Sequence, residues 1–359
     1  MSLSPFLRNT RRALGRAWRA TYWYLFSLLE RLSGGFLTLH IRPFTSGEYG
    51  LHSAPTPNLP AYAVILQGPI AEQNDFTLET LRLYKKIFPD GYLILSTWDD
   101  TPEEILKPFR AEAGIELVLN IKPNNRGYGN FNYQLVSTQG GLRRARELGA
   151  AYAMKIRTDQ RIYATDTYQF LLGLLDSFPL HTKTVQRRRL IALGINTVQY
   201  RPYSLNDQFF FGTIEDMELY WNIPLDLVPK KKATFTLREW VTLRLVEGYL
   251  MTEFLKRIGH TPKDTLADYW DAVGKYFILI DQDMVDLYWC KYKRYREHHD
   301  RRYDAVFLSA EIAFRDWVIL YKSLYNKETV PEDVWPNLPD STTTTRVFDP
   351  VHSDKNGLQ

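Results

Sequence analysis

An aspartate lies between two arginines directly after an apolar run, in the segment RTDQR (157–161) that follows AYAMKI. A carboxylate at the end of a strand can coordinate a divalent cation or accept a hydrogen bond from a ribose. Arg157 and Arg161 can neutralise a diphosphate through bidentate hydrogen bonds. The alternative is an Arg–Asp pair at a solvated strand end, which contributes little energy. Because Asp159 follows a strand of the predicted sheet, we favour a site for an anionic ligand.

Polar residues also follow two earlier apolar runs. Gln67, Gly68 and Pro69 come directly after the first run, where a glycine lets backbone N–H groups approach a phosphate or a base. Gln67 can contact a base edge, and a tight turn is the alternative explanation for the three residues. After the second run, Asp99 either contacts a ribose or, like Asp100, serves only the start of the next helix.

The segment NNRGYGNFNYQ (124–134) is polar without being mainly charged. Its amide side chains can donate and accept hydrogen bonds with a nucleotide or a hydroxylated ligand. We therefore predict that Asn130, Asn132 and Gln134 contribute to binding such a ligand. A flexible surface loop is the alternative.

Two acidic residues in the second half of the chain are candidates for a general base that deprotonates an acceptor hydroxyl. Asp207 precedes the apolar run QFFFG, where a turn aspartate is the structural alternative. Glu247 falls within an otherwise apolar helical pattern. A buried acid at such a position is either paired or functional.

Alternating strands and helices must position these residues. Four short apolar runs of strand length alternate with helical patterns, in units of about 30 residues that are typical of a parallel sheet with right-handed crossovers. The four runs are 61–66, 91–96, 115–120 and 151–156. Because ligands of such sheets bind at the carboxyl ends of the strands, the polar segments above are expected along one edge. The predicted fold is α/β, with a mostly parallel sheet flanked by helices.

Composition shifts divide the chain into five parts. A Gly/Pro/Ser-rich linker separates a basic, aromatic N-terminal segment from the α/β core, and a mainly helical part that carries the acceptor site follows the core. The last residues are polar and are predicted to be disordered. The five parts are 1–44, 45–60, 61–235, 236–338 and 339–359.

Charge and cysteine content exclude some classes of protein. The net charge of +4 is far from the basic excess of proteins that wrap nucleic acid, so no nucleic-acid partner is expected. The single cysteine, Cys290, excludes an internal disulfide and fits a reducing, cytoplasmic compartment. No apolar run is long enough to cross a bilayer.

The N-terminal segment predicts contact with a membrane surface. Residues 1–20 contain five arginines and no acid, and the aromatic run TYWYLFSLLERL follows at once. A basic, aromatic and partly amphipathic helix of this kind lies on anionic membrane surfaces, so residues 1–42 are predicted to bind one. The alternative is a helix that packs on the protein's own core with solvated arginines.

Four segments together resemble one family, that of WavE lipopolysaccharide synthesis, over about 62–300. They are VILQGPI, TLETLRLYKKIFPDGYLILSTWDD, NYQLVSTQGGLRRARELGAAYAMKIRTDQRIY and NDQFFFGT. The resemblance implies a glycosyltransferase of a bacterial surface polysaccharide such as the lipopolysaccharide core. The order of the parts is also similar to glycosyltransferases of the GT-A fold, in which a strand ends in an Asp-x-Asp motif that holds a metal and the donor's diphosphate.

This resemblance places Asp159 at the second aspartate of the motif and Arg157 at the first. Either Asp159 alone helps to hold an ion such as Mg²⁺ or Mn²⁺, or Arg157 neutralises the diphosphate without a metal. Gln67, Gly68 and Asp99 would then hold the nucleoside. The donor would be a sugar nucleotide, and the acceptor a saccharide or a lipid-linked saccharide at the cytoplasmic face of the inner membrane.

Two other functions fit the same sequence. The first is a non-catalytic carbohydrate- or nucleotide-binding protein that kept the fold, which the replacement of the first acid by Arg157 favours. The second is a nucleotidyltransferase, although the sequence has no Gly-rich phosphate loop.

Overall fold

A computed structural model describes residues 21, 23–36, 40–228, 243–244, 246–291 and 311–326. The chain divides into two compact units, Met1–Pro43 and Phe44–Gln359. The second unit contains the predicted sheet. Residues 1–20 and the predicted disordered tail, 339–359, lie outside the described residues.

Among the described residues of the second unit, nine strands form two sheets. In chain order they are β1 Tyr62–Gln67, β2 Tyr92–Trp98, β3 Ile115–Asn120, β4 Tyr152–Arg157, β5 Gln160–Ile162, β6 Leu190–Leu193, β7 Phe210–Thr213, β8 Phe277–Ile280 and β9 Leu287–Trp289. The main sheet has seven strands in the order β3-β2-β1-β4-β7-β6-β8. Strand β7 runs antiparallel to β4 and β6, and the other neighbouring pairs are parallel. The predicted α/β class with a mostly parallel sheet is therefore confirmed.

Helices flank this sheet. They are α1 Phe76–Ile87, α2 Glu103–Ala111, α3 Phe131–Glu147, α4 Thr167–Ser177, α5 Ile214–Trp221, α6 Glu247–Arg257, α7 Leu266–Tyr276 and α8 Phe314–Asn326. All six residues of β1 are buried, as expected for a strand that helices cover on both faces.

Two glycines bring α3 close to the sheet. A Cβ at Gly140 would collide with the Asn120 side chain, and one at Gly141 would collide with Ile65. Only residues without a side chain allow this approach. The close packing holds the N-terminal turns of α3 next to the carboxyl ends of β1 and β2.

The C-terminal part contributes to the sheet as well as supplying helices. Phe277–Ile280 forms β8, which pairs in parallel with β6, inside a range that the sequence predicts to be helical. A four-residue apolar run next to a helix cannot be distinguished from buried helix by periodicity alone. The core sheet is therefore completed by residues far beyond 235.

Residues 45–60, predicted as a linker, make specific contacts with the sheet unit. The Ser46 amide donates to the Glu79 carboxylate (2.6 Å), and the Tyr49 hydroxyl donates to the Tyr163 carbonyl (2.5 Å). The Ser53 amide donates to the Lys86 carbonyl at 3.0 Å.

The N-terminal unit contains a helical stretch over 23–33. Four leucines at helical spacing are exposed on it: Leu25, Leu28, Leu29 and Leu32. Trp23 and Tyr24 are also exposed, at 73% and 80%. Among the described helices, none has both the length and the apolar character that crossing a bilayer requires.

Candidate active site

The carboxyl ends of β1 and β4 lie side by side, with Gln67 paired to Arg157 in the register of the two strands. The Thr158 amide donates to the Gln67 carbonyl at 3.1 Å, and its hydroxyl donates to the Pro69 carbonyl. The predicted segments at 67–69 and 157–161 therefore meet at one edge of the sheet.

Gly68 shapes the turn after β1. Its φ of +117° lies in a region that L side chains rarely adopt, and a Cβ would lie 3.3 Å from the Thr158 hydroxyl oxygen. Its own amide donates to the Ser96 carbonyl at 3.0 Å, so that N–H group is already used within the protein. The glycine thus supplies the turn conformation and a surface without a side chain.

The Gln67 side chain is 2% exposed and belongs to a series of hydrogen-bonded polar side chains beneath this edge. Its Oε1 accepts a hydrogen bond from the Ser137 hydroxyl at 2.7 Å, and the Ser96 hydroxyl donates to the Ser137 carbonyl at 2.6 Å. Asn120 Nδ2 donates to the Ser96 hydroxyl at 2.9 Å. These bonds fix the orientation of the Gln67 amide relative to α3.

Arg157 and Asp159 form a bidentate ion pair. Arg157 Nε donates to Asp159 Oδ1 at 2.8 Å and Nη2 donates to Oδ2 at 2.9 Å. The side chains are 25% and 12% exposed. Burial raises the pKa of Asp159, but the charge of Arg157 and its hydrogen bonds outweigh that effect, so the net pKa lies below the usual value.

Trp289 reaches this pair because the small antiparallel sheet of β5 and β9 places it opposite Gln160. The Arg157 guanidinium carbon lies 5.4 Å from the centre of the indole ring, within the range of a cation–π contact. The sequence did not indicate Trp289 as a site residue, because it is far from 157–161 along the chain.

Arg161 does not face the edge of the sheet, contrary to its predicted role at the diphosphate. It is 1% exposed and its guanidinium donates to protein groups: the Thr80 hydroxyl (2.8 Å), the Phe44 carbonyl (2.8 Å) and the Phe76 carbonyl (2.9 Å). Side chains alternate along an extended strand, but the chain turns after β4, so the period-two pattern does not continue through 159–161.

Asp207 lies in a turn that several side chains hold in place. Its position just before β7, which is antiparallel to β4, brings it to the carboxyl end of β4. Asn206 Oδ1 accepts from the Gln208 amide at 2.8 Å, and Gln134 Nε2 donates to the Asp207 carbonyl at 2.8 Å. Lys155 Nζ donates to the carbonyls of Asp207 and Gln208.

Lys155 is fully buried beneath Asp207, with its Nζ 4.5 Å from the centre of the Trp221 ring. Burial lowers the pKa of Lys155 to about 7, although the charges of Asp207 and Asp159 oppose that change and Arg157 adds to it. The charges of Asp207, Arg157 and Asp159 therefore all act on one buried amine.

Glu247 is the first residue of α6 and is half-buried. Burial, and to a smaller extent the charge of Asp207, raise the pKa of Glu247 to about 7, against the opposing charge of Arg201. Its Oε2 is shielded from solvent and has no hydrogen-bond partner among the residues that the structure describes. The two predicted general-base candidates are thus brought into one cluster.

The loop before α3 lies against the start of α6. A Cβ at Gly129 would be 3.7 Å from Val246, and the rings of Phe131 and Tyr249 are 5.9 Å apart. The loop, α6 and the turn at Asp207 therefore converge at the same edge of the sheet.

Three predicted donor-binding residues have different surroundings. Asn132 is fully buried, where Nδ2 donates to the carbonyls of Asn125 (3.0 Å) and Asp226 (2.9 Å) and Oδ1 accepts from the Asp226 amide (2.8 Å). Its amide joins two protein segments. Asp99 and Asn130 are exposed at the ends of their loops, and Asn130 adopts a left-handed conformation with φ of 64°.

No curated protein matches the sequence. Solved structures, among them the following three, show a distant likeness. The mannose-1-phosphate geranyltransferase from Thermus thermophilus is 14% identical, with a TM-score of 0.31, over 45% of this chain and 60% of its own, less than two thirds of its length. A cytidylyltransferase from Leptospira borgpetersenii serovar Hardjo-bovis is 10% identical over 70% of this chain and 98% of its own, with a TM-score of 0.32.

The third structure is the bifunctional glycosyltransferase WbbM, which is 9% identical over 58% of this chain and 39% of its own, with a TM-score of 0.28. TM-scores this low carry no conclusion about function.

A family model gives a more extensive match. It is the model for WavE lipopolysaccharide synthesis, and it matches residues 62–336, more than half of the chain and all of the candidate site. The resemblance expected from the four sequence segments is confirmed: the chain belongs to the WavE lipopolysaccharide synthesis family.

Proposed function

We propose that this member of the WavE family is a glycosyltransferase that moves a sugar from a sugar nucleotide to an acceptor in lipopolysaccharide core or surface polysaccharide synthesis. The family match supports a role in lipopolysaccharide synthesis. The arrangement of the sheet, with polar segments along its carboxyl edge as in the GT-A fold, supports a nucleotide-sugar site there.

The observation that carries the proposal is the Glu247 carboxylate, which has a shielded oxygen without a hydrogen-bond partner among the described residues and lies within electrostatic reach of Asp207. A general base is most effective when its pKa is close to the pH at which the enzyme works. The pKa of Glu247 is raised by burial and by Asp207 to about 7. We assign Glu247 as the base that accepts the acceptor's hydroxyl proton, and Asp207 as the group that helps to keep its pKa high.

The donor is assigned to the neighbouring strand ends. The turn Gln67–Pro69 offers a close backbone surface to the nucleoside, and Arg157 offers a partly exposed cation to the diphosphate. A positive group at the leaving diphosphate stabilises the charge that develops as the glycosidic bond to the phosphate breaks. Asp99 and Asn130 are exposed and complete the proposed donor set.

The acceptor is proposed to be a saccharide or lipid-linked saccharide at the cytoplasmic face of the inner membrane. The exposed leucines and aromatic residues of the N-terminal helix, together with the arginines that precede them in the sequence, support a peripheral attachment to an anionic surface. Such an attachment would hold the enzyme next to its lipid-linked acceptor.

A donor screen tests the proposed function. The full-length protein is incubated with UDP-, GDP-, dTDP-, ADP- and CMP-sugars, with and without Mn²⁺ and with lipopolysaccharide-derived acceptors, and nucleotide release is measured. Release that requires an acceptor supports a glycosyltransferase. Donor binding without turnover would instead identify a binding protein, and formation of a sugar nucleotide from a sugar phosphate would identify a nucleotidyltransferase.

Matched variants of α6 link the activity to the site. Glu247→Gln removes the proposed base without changing the shape of the side chain, and Glu253→Gln makes the same change at a position that pairs with Lys256. Loss of release in the first variant, with the second unaffected, supports the assignment. Equal activity in both variants would exclude Glu247 as the base.

A further inference from the structure

The carboxylate of Asp159 is fully engaged by Arg157. Each of its oxygens accepts one hydrogen bond from the guanidinium, at 2.8 and 2.9 Å, and only 12% of the Asp159 side chain is exposed. The resemblance to the GT-A fold implies a divalent ion at this place, held by two acids. In this chain the position of the first acid carries a cation that faces the second.

These residues do not fit a divalent ion. Mg²⁺ and Ca²⁺ bind several oxygen ligands at once, with carboxylates as the main charged donors. An ion on Asp159 would lie against the guanidinium that already neutralises this carboxylate, and near the buried amine of Lys155. Within the described ranges, no three His, Cys, Asp or Glu side chains are grouped so that they could hold a metal.

Arg157 can neutralise the diphosphate in place of a divalent ion. It ends β4 beside the Gln67–Pro69 turn, and 25% of its side chain remains in contact with solvent. A guanidinium binds phosphate oxygens through parallel hydrogen bonds and keeps its charge at any physiological pH. Gly68, with φ of +117°, supplies the turn conformation that places this backbone next to Thr158 and Arg157.

We infer that Arg157, rather than a divalent cation, binds and neutralises the diphosphate of the donor, with Asp159 as a positioning residue that fixes the guanidinium. This inference rests on the proposed sugar-nucleotide site and specifies its chemistry. Trp289 supports the geometry by stacking near the guanidinium.

Two binding measurements on the unaltered chain test the inference. Inorganic pyrophosphate is titrated by calorimetry in the presence of EDTA, and Mn²⁺ alone is titrated while the signal of the free ion is followed by electron paramagnetic resonance. We expect pyrophosphate to bind in EDTA and Mn²⁺ to remain free. Absence of pyrophosphate binding in EDTA, or stoichiometric Mn²⁺ binding that Asp159→Asn abolishes, would overturn the inference.

Matched variants locate the pyrophosphate site. Arg157→Met should weaken pyrophosphate binding at least about 10-fold, because a charge-assisted bidentate contact is lost. Arg110→Met, which removes an exposed arginine that also pairs with an acid, should leave the affinity unchanged. Equal affinities of the two variants would place pyrophosphate elsewhere and overturn the inference.

Failure of this inference and failure of the proposed function give different experimental results. Pyrophosphate binding at Arg157 without sugar transfer from any donor would contradict the glycosyltransferase proposal and support the arginine site. Sugar transfer that EDTA abolishes and Mn²⁺ restores would support the glycosyltransferase proposal and contradict the arginine site.

Discussion

Asp207 lies close enough to Glu247 for its charge to raise the pKa of that side chain, although the two residues belong to different elements. Asp207 lies in the turn before β7, and Glu247 is the first residue of α6. Burial contributes more than Asp207, and Arg201 opposes both. The resulting pKa of about 7 lets Glu247 exchange a proton at neutral pH.

The rate of sugar transfer should therefore increase as the pH rises through about 7, because the base must lose its proton before it can accept one from the acceptor. Asp207→Asn removes a negative charge that raises the pKa of Glu247, so the increase should move to lower pH. Glu247→Gln should reduce the rate about 10²–10⁴-fold and remove this pH dependence. Initial rates between pH 5 and 9 provide the measurement.

Glu253→Gln on the same helix is the control, and its pH profile should match that of the unaltered protein. A profile of Asp207→Asn that moves to higher pH would contradict the assigned electrostatics.

The buried charges also predict how stability depends on pH. The pKa of Glu247 is raised from 4.5 to about 7, so between these values the folded chain binds a proton that the unfolded chain releases. The free energy of unfolding therefore falls as the pH rises through that range. The pKa of Lys155 is lowered from 10.5 to about 7, so from about 7 upward the unfolded chain binds the extra proton and the contribution of Lys155 rises with pH.

Urea unfolding at a series of pH values separates the two contributions. Glu247→Gln should flatten the dependence of the unfolding free energy on pH below about pH 7, and Lys155→Met should flatten it above about pH 7. Each effect should be at most about 1.4 kcal/mol for each unit by which the pKa is shifted. The difference between each variant and the unaltered chain is the relevant quantity, because other groups titrate as well. Variants whose curves run parallel to that of the unaltered chain would contradict the prediction.

The sequence predicted the sheet well because its strands are short apolar runs between helical patterns. The run 115–120 coincides with β3, and 151–156 differs from β4 by one residue at each end. Strand β8 was not expected, since four apolar residues next to a helix have no period of their own.

The candidate site was harder to predict, because burial and orientation depend on contacts far along the chain. Arg157 and Arg161 look equivalent in the sequence, yet one lies at the edge of the sheet and the other is enclosed by α1 and residue 44. The position of Lys155 within an apolar strand indicates a buried amine. The sequence around Arg201 and Trp289 does not indicate that either residue belongs to the site.

Arg161→Leu should destabilise the fold rather than impair ligand binding. The substitution removes the hydrogen bonds that the Arg161 guanidinium donates to the Thr80 hydroxyl and to the carbonyls of Phe44 and Phe76, and each hydrogen bond from a charged group contributes about 1.5–3 kcal/mol. Chemical denaturation measures the loss. Calorimetry on the folded variant should give the pyrophosphate affinity of the unaltered protein.

Arg110→Leu is the matched control, since this arginine is 48% exposed and pairs with Glu103 at the surface. Its effect on stability should be within about 1 kcal/mol. A variant of Arg161 that is as stable as this control but has lost pyrophosphate binding would restore Arg161 to the diphosphate site.

The N-terminal helix should bind anionic vesicles through its exposed leucines. Leu25, Leu28, Leu29 and Leu32 form an exposed apolar stripe on one side of the helix. Leu28→Asp places a charge within this stripe and so opposes its burial at the membrane surface. Ser27→Asp places the same charge on another side of the helix. Burying one leucine is worth about 1.5–3 kcal/mol, so the first change should weaken flotation with phosphatidylglycerol vesicles at least about 10-fold and the second much less. Raising the salt concentration should weaken binding of the unaltered chain, because the arginines in residues 1–20 act through electrostatic attraction. Equal flotation of both variants would show that the stripe is not the membrane contact, since charge alone would then account for the binding.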